Sequence, residues 1–347
     1  MKLDHSTIRR LVLEEIAKSR VPRRRSLSSY LFEDVEDEIK KAADSGPGAV
    51  RKLANSYPDK EELKTALQGA HDKLGNDDNV DIGGGTTASV SDFIPTQNEI
   101  DLMKSVAYPL GGFNDLKKMV TSNTSGAPGS ISVAGNEVLD GHHRWSGVWG
   151  ISGGDKGKIS VQDMGFKGNT DQKLAAAQLA IAAYKPASLP QPSAEDPIPY
   201  NILGKGKDAI KTMILDNVGT QTDPDAPGPL LNDEMLAASA NDPVIAKWAG
   251  FEVGDEREKV LDAIADKVAD NLSTLPKNPN APPRADMPQF DHKSMGDKKK
   301  VKGEIYVGLQ SGDFNVNEPF APKKESTSRD DEVILERWQK LAGLIKG

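Results

Sequence analysis

The spacing of apolar residues predicts helices in the first quarter of the chain. Residues 5–19 place apolar side chains at helical intervals behind Ser6, which stands in the N-cap position. Residues 27–75 continue the helical pattern in two main segments, 27–43 and 59–74, which end at stretches rich in Gly, Pro and Asn. This part of the chain is therefore expected to be helical, with turns at those breaks.

A mixed pattern of strands and helices follows a glycine run near residue 85. Alternating stretches predict a strand at SVSDFI, a hairpin at SISVAGNEVLDG that turns at Gly135-Asn136, and a strand at KISVQDMGF. Helical periodicity is present in EIDLMKSVAY, in FNDLKKMVTS, in the Ala-rich TDQKLAAAQLAIAAY and in the helix that GHHR opens. Strands and helices mixed in this way predict an α+β domain over residues 86–185.

The rest of the chain shows a proline-rich stretch, a helical region and an extended region. Five prolines in the segment 186–199 favour extended backbone and exclude a regular helix. Residues 200–275 contain four helical segments, and the last of them repeats an apolar residue every four positions: Val260, Ile264, Val268 and Leu272. Beyond them, a Pro-rich and then Lys-rich stretch predicts extended chain, and the last residues predict an amphipathic helix that begins with a capping box.

These patterns predict an α+β chain in which a mixed central domain lies between helical regions, with no internal repeat. The expected divisions are a basic amphipathic N-terminal peptide (1–25), a helical region (26–85), the mixed domain (86–185), a linker (186–199), a second helical region (200–275), an extended Pro/Lys-rich segment (276–327) and a C-terminal helix (328–347).

Charge and composition limit the classes of function. The chain of 347 residues has a formal net charge of −8, which disfavours a protein that coats duplex DNA through its overall field. It contains no cysteine, which excludes a disulfide framework, a zinc–thiolate site and a thiol nucleophile. There is no run of about 18 apolar residues and no apolar core of a signal peptide, so we expect a cytoplasmic protein that does not contact a membrane.

Two short segments are basic within this acidic chain. Residues 1–25 hold eight basic and three acidic side chains, and four lysines lie within residues 298–302. Such runs are typical of solvated segments. They are also the places where nucleic acid or a partner protein would bind through charge.

The stretch GNEVLDGHHRWSGVWG, residues 135–150, is the strongest candidate for chemistry. If a strand ends at Gly141 and a helix follows, the positive end of the helix dipole lies at the strand end, and Gly141 lets backbone approach an anion closely. Arg144 can bind two phosphate oxygens at once. His142 and His143 diverge by about 100° on a helix, so one meets the ligand while the other packs. Asp140 stands at the expected N-cap and either caps the helix or helps to hold Mg²⁺ beside a polyphosphate.

The same run also fits a purely structural interpretation, in which a helix begins with packed histidines and a surface arginine. Trp145 and Trp149 lie four residues apart on one helix face, which is more typical of a core than of base stacking. The glycine run near residue 85 lacks the Lys-Ser/Thr ending of a P-loop and is not a phosphate site of that kind.

The segment 88–151, from ASVSDFIPTQNEIDLMKS to GSISVAGNEVLDGHHRWSGVWGI, resembles the ParB/sulfiredoxin superfamily. In that superfamily a strand and a short helix near a PTQ-like stretch precede a hairpin that ends in a G-x-H-R or G-E-R-R box, here residues 141–144. Members include partition proteins that bind CTP, sulfiredoxins that use ATP, free-serine kinases and ParB-like nucleases. The resemblance implies a nucleotide phosphate at the box. Sulfiredoxin chemistry is excluded because its catalytic Cys is absent, and partition function is disfavoured because no helix-turn-helix follows the box.

The kinase-like members of the superfamily imply a role for residues upstream of the box. By resemblance, Glu99 would orient or deprotonate an acceptor hydroxyl or water, and Thr96, Gln97 and Ser105 would contact phosphate or substrate. The alternative is structural: Glu99 is then a solvated carboxylate early in a helix, and the other three residues cap that helix.

Three hypotheses for the function follow. The first is a nucleotide-binding enzyme that uses ATP or another nucleotide with Mg²⁺ to transfer or hydrolyse a phosphoryl group. The second is a ParB-like DNA-binding protein or nuclease. The third is a non-catalytic virion or assembly protein, because MKLDHSTIRRLVLEEIAKS resembles an opening shared by proteins of tailed marine phages. In that case phage proteins would bind the N-terminal peptide and the C-terminal arms, in the host cytoplasm or in the virion.

Overall fold

A computed structural model shows a mixed α+β chain, which confirms the predicted class. The structure describes residues 37–57, 63, 85–124, 130–184, 198–221, 226–283, 286–288, 304–305, 309 and 316. Its helices are α1 (Pro47–Ser56), α2 (Leu102–Gly111), α3 (Phe113–Ser122), α4 (His142–Ser152), α5 (Thr170–Tyr184), α6 (Lys207–Leu215), α7 (Asp233–Ala240), α8 (Pro243–Ala249) and α9 (Arg257–Ser273), and residues 37–44 are also helical. Its strands are β1 (Thr86–Ser89), β2 (Ile94–Pro95), β3 (Ile131–Ala134), β4 (Glu137–Asp140) and β5 (Lys158–Asp163).

The strands form one mixed sheet in the order β1-β5-β3-β4-β2. β3 and β4 form the predicted antiparallel hairpin, and Gly135 adopts the positive φ of 60° that suits the first central residue of a two-residue turn. β2 runs parallel to β4, and β5 runs parallel to β3. The hairpin therefore lies inside the sheet, and β4 delivers the chain directly to the start of α4.

Side chains of the strands alternate between two hydrophobic cores, one on each face of the sheet. Val138 of β4 belongs to the core formed with α2, α3, α4 and α6–α9, whereas Leu139 faces a second core with α1, α5 and the helical residues 37–44. Helices thus cover both faces of the sheet. The core on the α4 face includes residues from 202 to 275, so the helices after the proline-rich segment complete the burial of α4.

Contacts from α8 and α9 fix the C-terminal end of α4. Asn271 Nδ2 donates to the carbonyl of Gly150 at 2.8 Å, and Trp248 Nε1 donates to the carbonyl of Ile151 at 2.8 Å. The last carbonyls of a helix have no partner within the helix. Side chains of the 200–275 region supply these partners and so hold α4 in place.

A buried ion pair anchors β4 on the opposite face of the sheet. Glu137 is 5% exposed and accepts from Lys173 Nζ at 2.7 Å, from Asn278 Nδ2 at 3.2 Å and from the hydroxyl of Thr170. The carboxylate is well supplied with donors, as a buried charge requires. These bonds tie the strand that leads to the box to the first turn of α5.

Several predicted elements are confirmed. The hairpin, α3, α5, the helix that the box opens and the helices α6–α9 lie where the apolar pattern placed them, and the last of these buries the four residues spaced four apart. The predicted segments 1–25 and 328–347 and nearly all of 59–74 lie outside the described residues, as does most of 276–327.

One local prediction is wrong, and another is confirmed with a shifted boundary. SVSDFI is not a strand, because Val90–Asp92 form a 3₁₀ turn that a reciprocal capping box between Ser89 and Asp92 closes. The helix expected at EIDLMKSVAY begins only at Leu102, and it continues through Pro109 to Gly111.

The crossing of α2 and α4 is very close. A Cβ at Gly147 of α4 would lie 2.6 Å from the carbonyl oxygen of Ser105 in α2, which is closer than real Cβ atoms approach backbone. Pro109, four residues after Ser105, has no N–H to donate to this carbonyl. The glycine therefore sets the distance between the box helix and the helix that carries Ser105.

None of the helices in the described part of the chain has both the length and the apolar character needed to cross a membrane.

We predict that Gly147→Ala destabilises the protein much more than Gly150→Ala. The added methyl at position 147 would meet the Ser105 backbone, and overpacking of this kind costs about 1–3 kcal/mol. At position 150 the nearest atoms, 3.2 Å away, belong to the side chain of Leu272 and not to backbone, so a shift of a few tenths of an ångström would accommodate the methyl. Urea unfolding of both variants measures the two free energies. Equal losses of unfolding free energy in the two variants would contradict the conclusion that Gly147 sets the distance between α2 and α4.

Candidate functional site

The box begins where β4 ends, at a glycine with left-handed backbone. Gly141 is the N-cap of α4, with φ of 95°, and it has no side chain with which to cap the helix. A Cβ there would lie 2.7 Å from Ile131 Cγ2. Both the dihedral angle and the space therefore require glycine, without any reference to a ligand. Asp140 was expected at the N-cap; it lies one residue earlier, as the last residue of β4 and half-buried.

The two adjacent histidines occupy different environments. His142 is 5% exposed, and its Nε2 accepts a hydrogen bond of 3.1 Å from the backbone N–H of Thr96. An amide N–H only donates, so Nε2 carries no proton and the neutral ring is protonated at Nδ1. The Thr96 hydroxyl donates to the carbonyl of Val138 at 2.6 Å and lies 3.3 Å from the same Nε2. His142 therefore joins the end of β2 to the start of α4.

Burial determines the charge of His142. The pKa of the ring is lowered to about 3, chiefly by burial and in smaller part by the nearby His143, whereas Asp140 and the carbonyl of Val138 act in the opposite direction. The ring is therefore neutral at neutral pH. A neutral ring at this position accepts a hydrogen bond and adds no positive charge to the box.

His143 lies on the half-buried side of the first turn, beside two serines. Its Nδ1 is 3.5 Å from Ser105 Oγ, which donates to the carbonyl of Asp101 at 2.7 Å. Ser146 Oγ lies 2.7 Å from Ser105 Oγ and 2.8 Å from the carbonyl of His142. Ser105 is 2% exposed, so the structure places it as a support for His143 behind the surface of the box.

Arg144 lies over the start of its own helix. One terminal nitrogen of its guanidinium is 3.0 Å from the position that a Cβ of Gly141 would take, and the residue is half-buried. Its charge is therefore held next to the positive end of α4. An anion that approached the first turn would meet the side chains of His143 and Arg144 together.

The segment between β2 and α2 carries the upstream candidates. Gln97 and Glu99 are half-buried. Glu99 does not lie early in a helix, because α2 begins at Leu102 and Asp101 is its N-cap, accepting from the N–H of Met103 at 2.8 Å. For the same reason none of Thr96, Gln97 and Ser105 caps α2.

The C-terminal side of this segment is tied to residues after the proline-rich stretch. The N–H of Ile100 donates to Asn201 Oδ1 at 3.0 Å, and the N–H of Leu102 donates to the carbonyl of Tyr200 at 2.9 Å. Asn201 has no signal in the sequence because its partner lies about one hundred residues away, and no local pattern marks such a pair. Asp101, in contrast, immediately precedes an apolar helical run, which is an N-cap signal.

The remaining features of the run have structural roles. Trp145 and Trp149 are buried with ring centroids 5.5 Å apart, which confirms that they belong to the core. Among the residues that the structure describes, no group of three or more His, Asp or Glu side chains is arranged to hold a metal ion. A Mg²⁺ ion that is bound largely by nucleotide phosphates needs only one or two carboxylates, for which Asp140 is the candidate.

Comparisons with known proteins add no assignment to this geometry: no family model, no curated protein and no solved structure matches the chain. The resemblance to the ParB/sulfiredoxin superfamily therefore stays a prediction that depends on the residues of the box and of the PTQ stretch.

We predict that His142 makes the protein less stable in acid. Its pKa is about 6.5 in an unfolded chain and about 3 in the fold, so unfolding takes up a proton between these values. The contribution of the neutral His142 ring to the free energy of unfolding is fully present above pH 6.5. It declines as the pH falls toward 3, by about 1 kcal/mol per pH unit in the middle of this range. The measurement is the difference in unfolding free energy between wild type and His142→Gln from pH 8 to pH 4.5. A difference that does not change with pH would contradict the assignment.

Proposed function

We propose that residues 86–185 form a ParB/sulfiredoxin-like domain that binds ATP or another nucleotide at the box, with Mg²⁺, and transfers or hydrolyses a phosphoryl group. The observation that carries the proposal is the contact between the box and the candidate residues upstream of it. Residues that the resemblance implicates but that lie about forty positions apart in the sequence are in contact, since Thr96 meets His142 and Ser105 meets His143.

The charges at the box fit an anionic ligand. The first turn of α4 combines the positive end of the helix dipole with the guanidinium of Arg144 and the ring of His143. In the proposal these two side chains hold phosphate oxygens and stabilise the negative charge that develops during transfer. His142 is buried beneath these two side chains, where it binds the Thr96 N–H and does not contact the phosphate.

The acceptor side of the site is assigned to the segment after Thr96. Glu99 orients an acceptor hydroxyl or a water, or removes its proton, and Gln97 contacts the substrate. Asp140 lies at the junction of β4 and α4, and in the proposal its carboxylate would help to hold Mg²⁺, which would neutralise phosphate charge.

Charge favours a nucleotide over a long nucleic acid. Between residues 205 and 274, which contain the helices packed around α4, there are fourteen acidic and seven basic side chains. An acidic flank of this kind repels an extended phosphate backbone, whereas a single nucleotide contacts only the box. The DNA-binding alternative would depend on the basic tracts at 20–25 and 298–302.

We predict that Arg144→Ala abolishes or strongly weakens nucleotide binding. Loss of a charge-assisted, bidentate contact with phosphate should raise the Kd for ATP by about 10- to 100-fold. Arg257→Ala is the matched control, since it removes the same side chain from the first turn of α9, where Arg257 pairs with Asp233. Calorimetric titration of wild type and both variants with ATP, ADP and CTP, with and without Mg²⁺, gives the comparison.

The same titrations with a short DNA duplex distinguish the alternatives. Salt-sensitive DNA binding that Arg144→Ala does not change, and that disappears when residues 1–25 and the lysine tract are removed, would replace the proposal with the DNA-binding hypothesis. A large homomeric assembly that binds neither nucleotide nor DNA would favour the virion hypothesis instead.

A further inference from the structure

We infer that His142 is a positioning residue: it fixes the backbone at Thr96 and thereby holds residues 97–99 beside the box. His143 and Arg144 are the side chains of the box that face the ligand. The inference concerns the internal construction of the site, and its consequence for nucleotide binding rests on the proposed function.

The first support is the geometry of β2, which is only two residues long. Beyond Pro95 the chain leaves the sheet, and Thr96 makes two hydrogen bonds to β4 and the start of α4. These are the hydroxyl bond to the carbonyl of Val138 and the N–H bond to His142 Nε2. Thr96 is fully buried, so its N–H would lose a partner that water could not replace if residue 142 had no acceptor.

The second support is that the segment is tied at both ends, while residues 97–99 between them form no hydrogen bond to the part of the chain that the structure describes. At its far end Ile100 is bound to Asn201 by its N–H and to the N–H of Ile202 by its carbonyl. Residues 97–99 span the gap between these anchors, with Asn98 exposed. The position of Glu99 relative to the box is therefore set by two anchors, and His142 supplies the one that lies at the box.

The third support is the burial of the ring. His142 is 5% exposed, and its Nε2 is already engaged by Thr96, so a phosphate at the surface of the first turn does not reach this nitrogen. The neighbouring His143 lies on the half-buried side of the same turn. Two adjacent histidines thus serve one site in different ways, one from within and one at the surface.

We predict that removal of the acceptor frees the segment and that restoring an acceptor rescues it. His142→Leu keeps the side-chain volume but removes the acceptor of the Thr96 N–H. Because this buried hydrogen bond no longer holds the segment, hydrogen exchange at residues 96–99 should accelerate about tenfold. In His142→Gln the side-chain oxygen replaces Nε2, and exchange should stay within about threefold of wild type. Hydrogen–deuterium exchange with mass spectrometry of peptides covering 94–101 measures both.

Ser146→Ala is the matched control, because it removes a buried polar group one turn further along α4 that does not bond to residues 96–99. Exchange at 96–99 should not change in this variant. Equal exchange in His142→Leu and wild type would overturn the inference. If His142→Leu fails to fold, the ring ¹⁵N shifts of wild type at neutral pH decide the question: an unprotonated Nε2 with a protonated Nδ1 is expected, and a protonated Nε2 would overturn the inference.

Nucleotide titration separates this inference from the proposed function. If both are correct, His142→Gln binds ATP nearly as wild type does, and His142→Leu binds at least about tenfold more weakly. A ring that contacted phosphate directly would make both variants equally weak while exchange at 96–99 stayed unchanged, and that result would overturn the inference. If wild type binds no nucleotide, the proposed function fails, and the exchange and ¹⁵N measurements still decide the role of His142.

Discussion

The burial of α4 is the constraint on which the rest of the structure depends. From Trp145 to Ile151 every residue of this helix is buried, between the sheet, α2 and α9. Gly147 allows the close approach to α2, and side chains from α8 and α9 satisfy the carbonyls at the far end. The helix has little freedom to shift along or around its axis. Its first turn, with the box, is consequently presented at one fixed place at the end of β4.

This constraint explains why the residues of the box differ so much in exposure. Successive residues of a helix point about 100° apart, so a helix buried from its second turn must send some first-turn side chains inward. His142 points inward and finds a backbone donor, whereas His143 and Arg144 remain half-buried. The arrangement follows from where α4 is packed, and the same residue order on a surface helix would not produce it.

The sequence predicted those parts of the fold in which the apolar period is strong and local. The helices α3 and α9 carry such a period, the Ala-rich composition of α5 favours a helix, and the hairpin has a glycine at its turn. The start of α2 was missed because residues 100–102 pair with 200–202, and a partner so distant in sequence leaves no local signal. SVSDFI alternates in polarity like a strand, but side-chain bonds between Ser89 and Asp92 favour a tight turn there.

For the candidate site, the sequence indicated which residues to consider but not which of them are buried supports and which face a ligand. A pair of adjacent histidines shows that the two rings diverge, and nothing in the pair shows which of them points inward. That choice depends on Thr96 and on the path of β2, which place a buried N–H in front of His142. The serines at 105 and 146 are likewise joined only by the packing of α2 on α4.

The buried N–H of Thr96 needs a hydrogen-bond acceptor, and this need is sufficient to account for a histidine at position 142. A leucine of similar volume would leave a buried N–H without an acceptor, at a cost of about 1–3 kcal/mol. In the same way, the positive φ of Gly141 and its contact with Ile131 are sufficient to account for the glycine. The identity of neither residue therefore argues for a ligand, and the contact of Thr96 with His142 bears on the proposed function only because it brings the PTQ stretch to the box. The chemical argument for an anion at this site depends on His143 and Arg144, which are half-buried on the first turn of a helix whose other residues are fixed by the core.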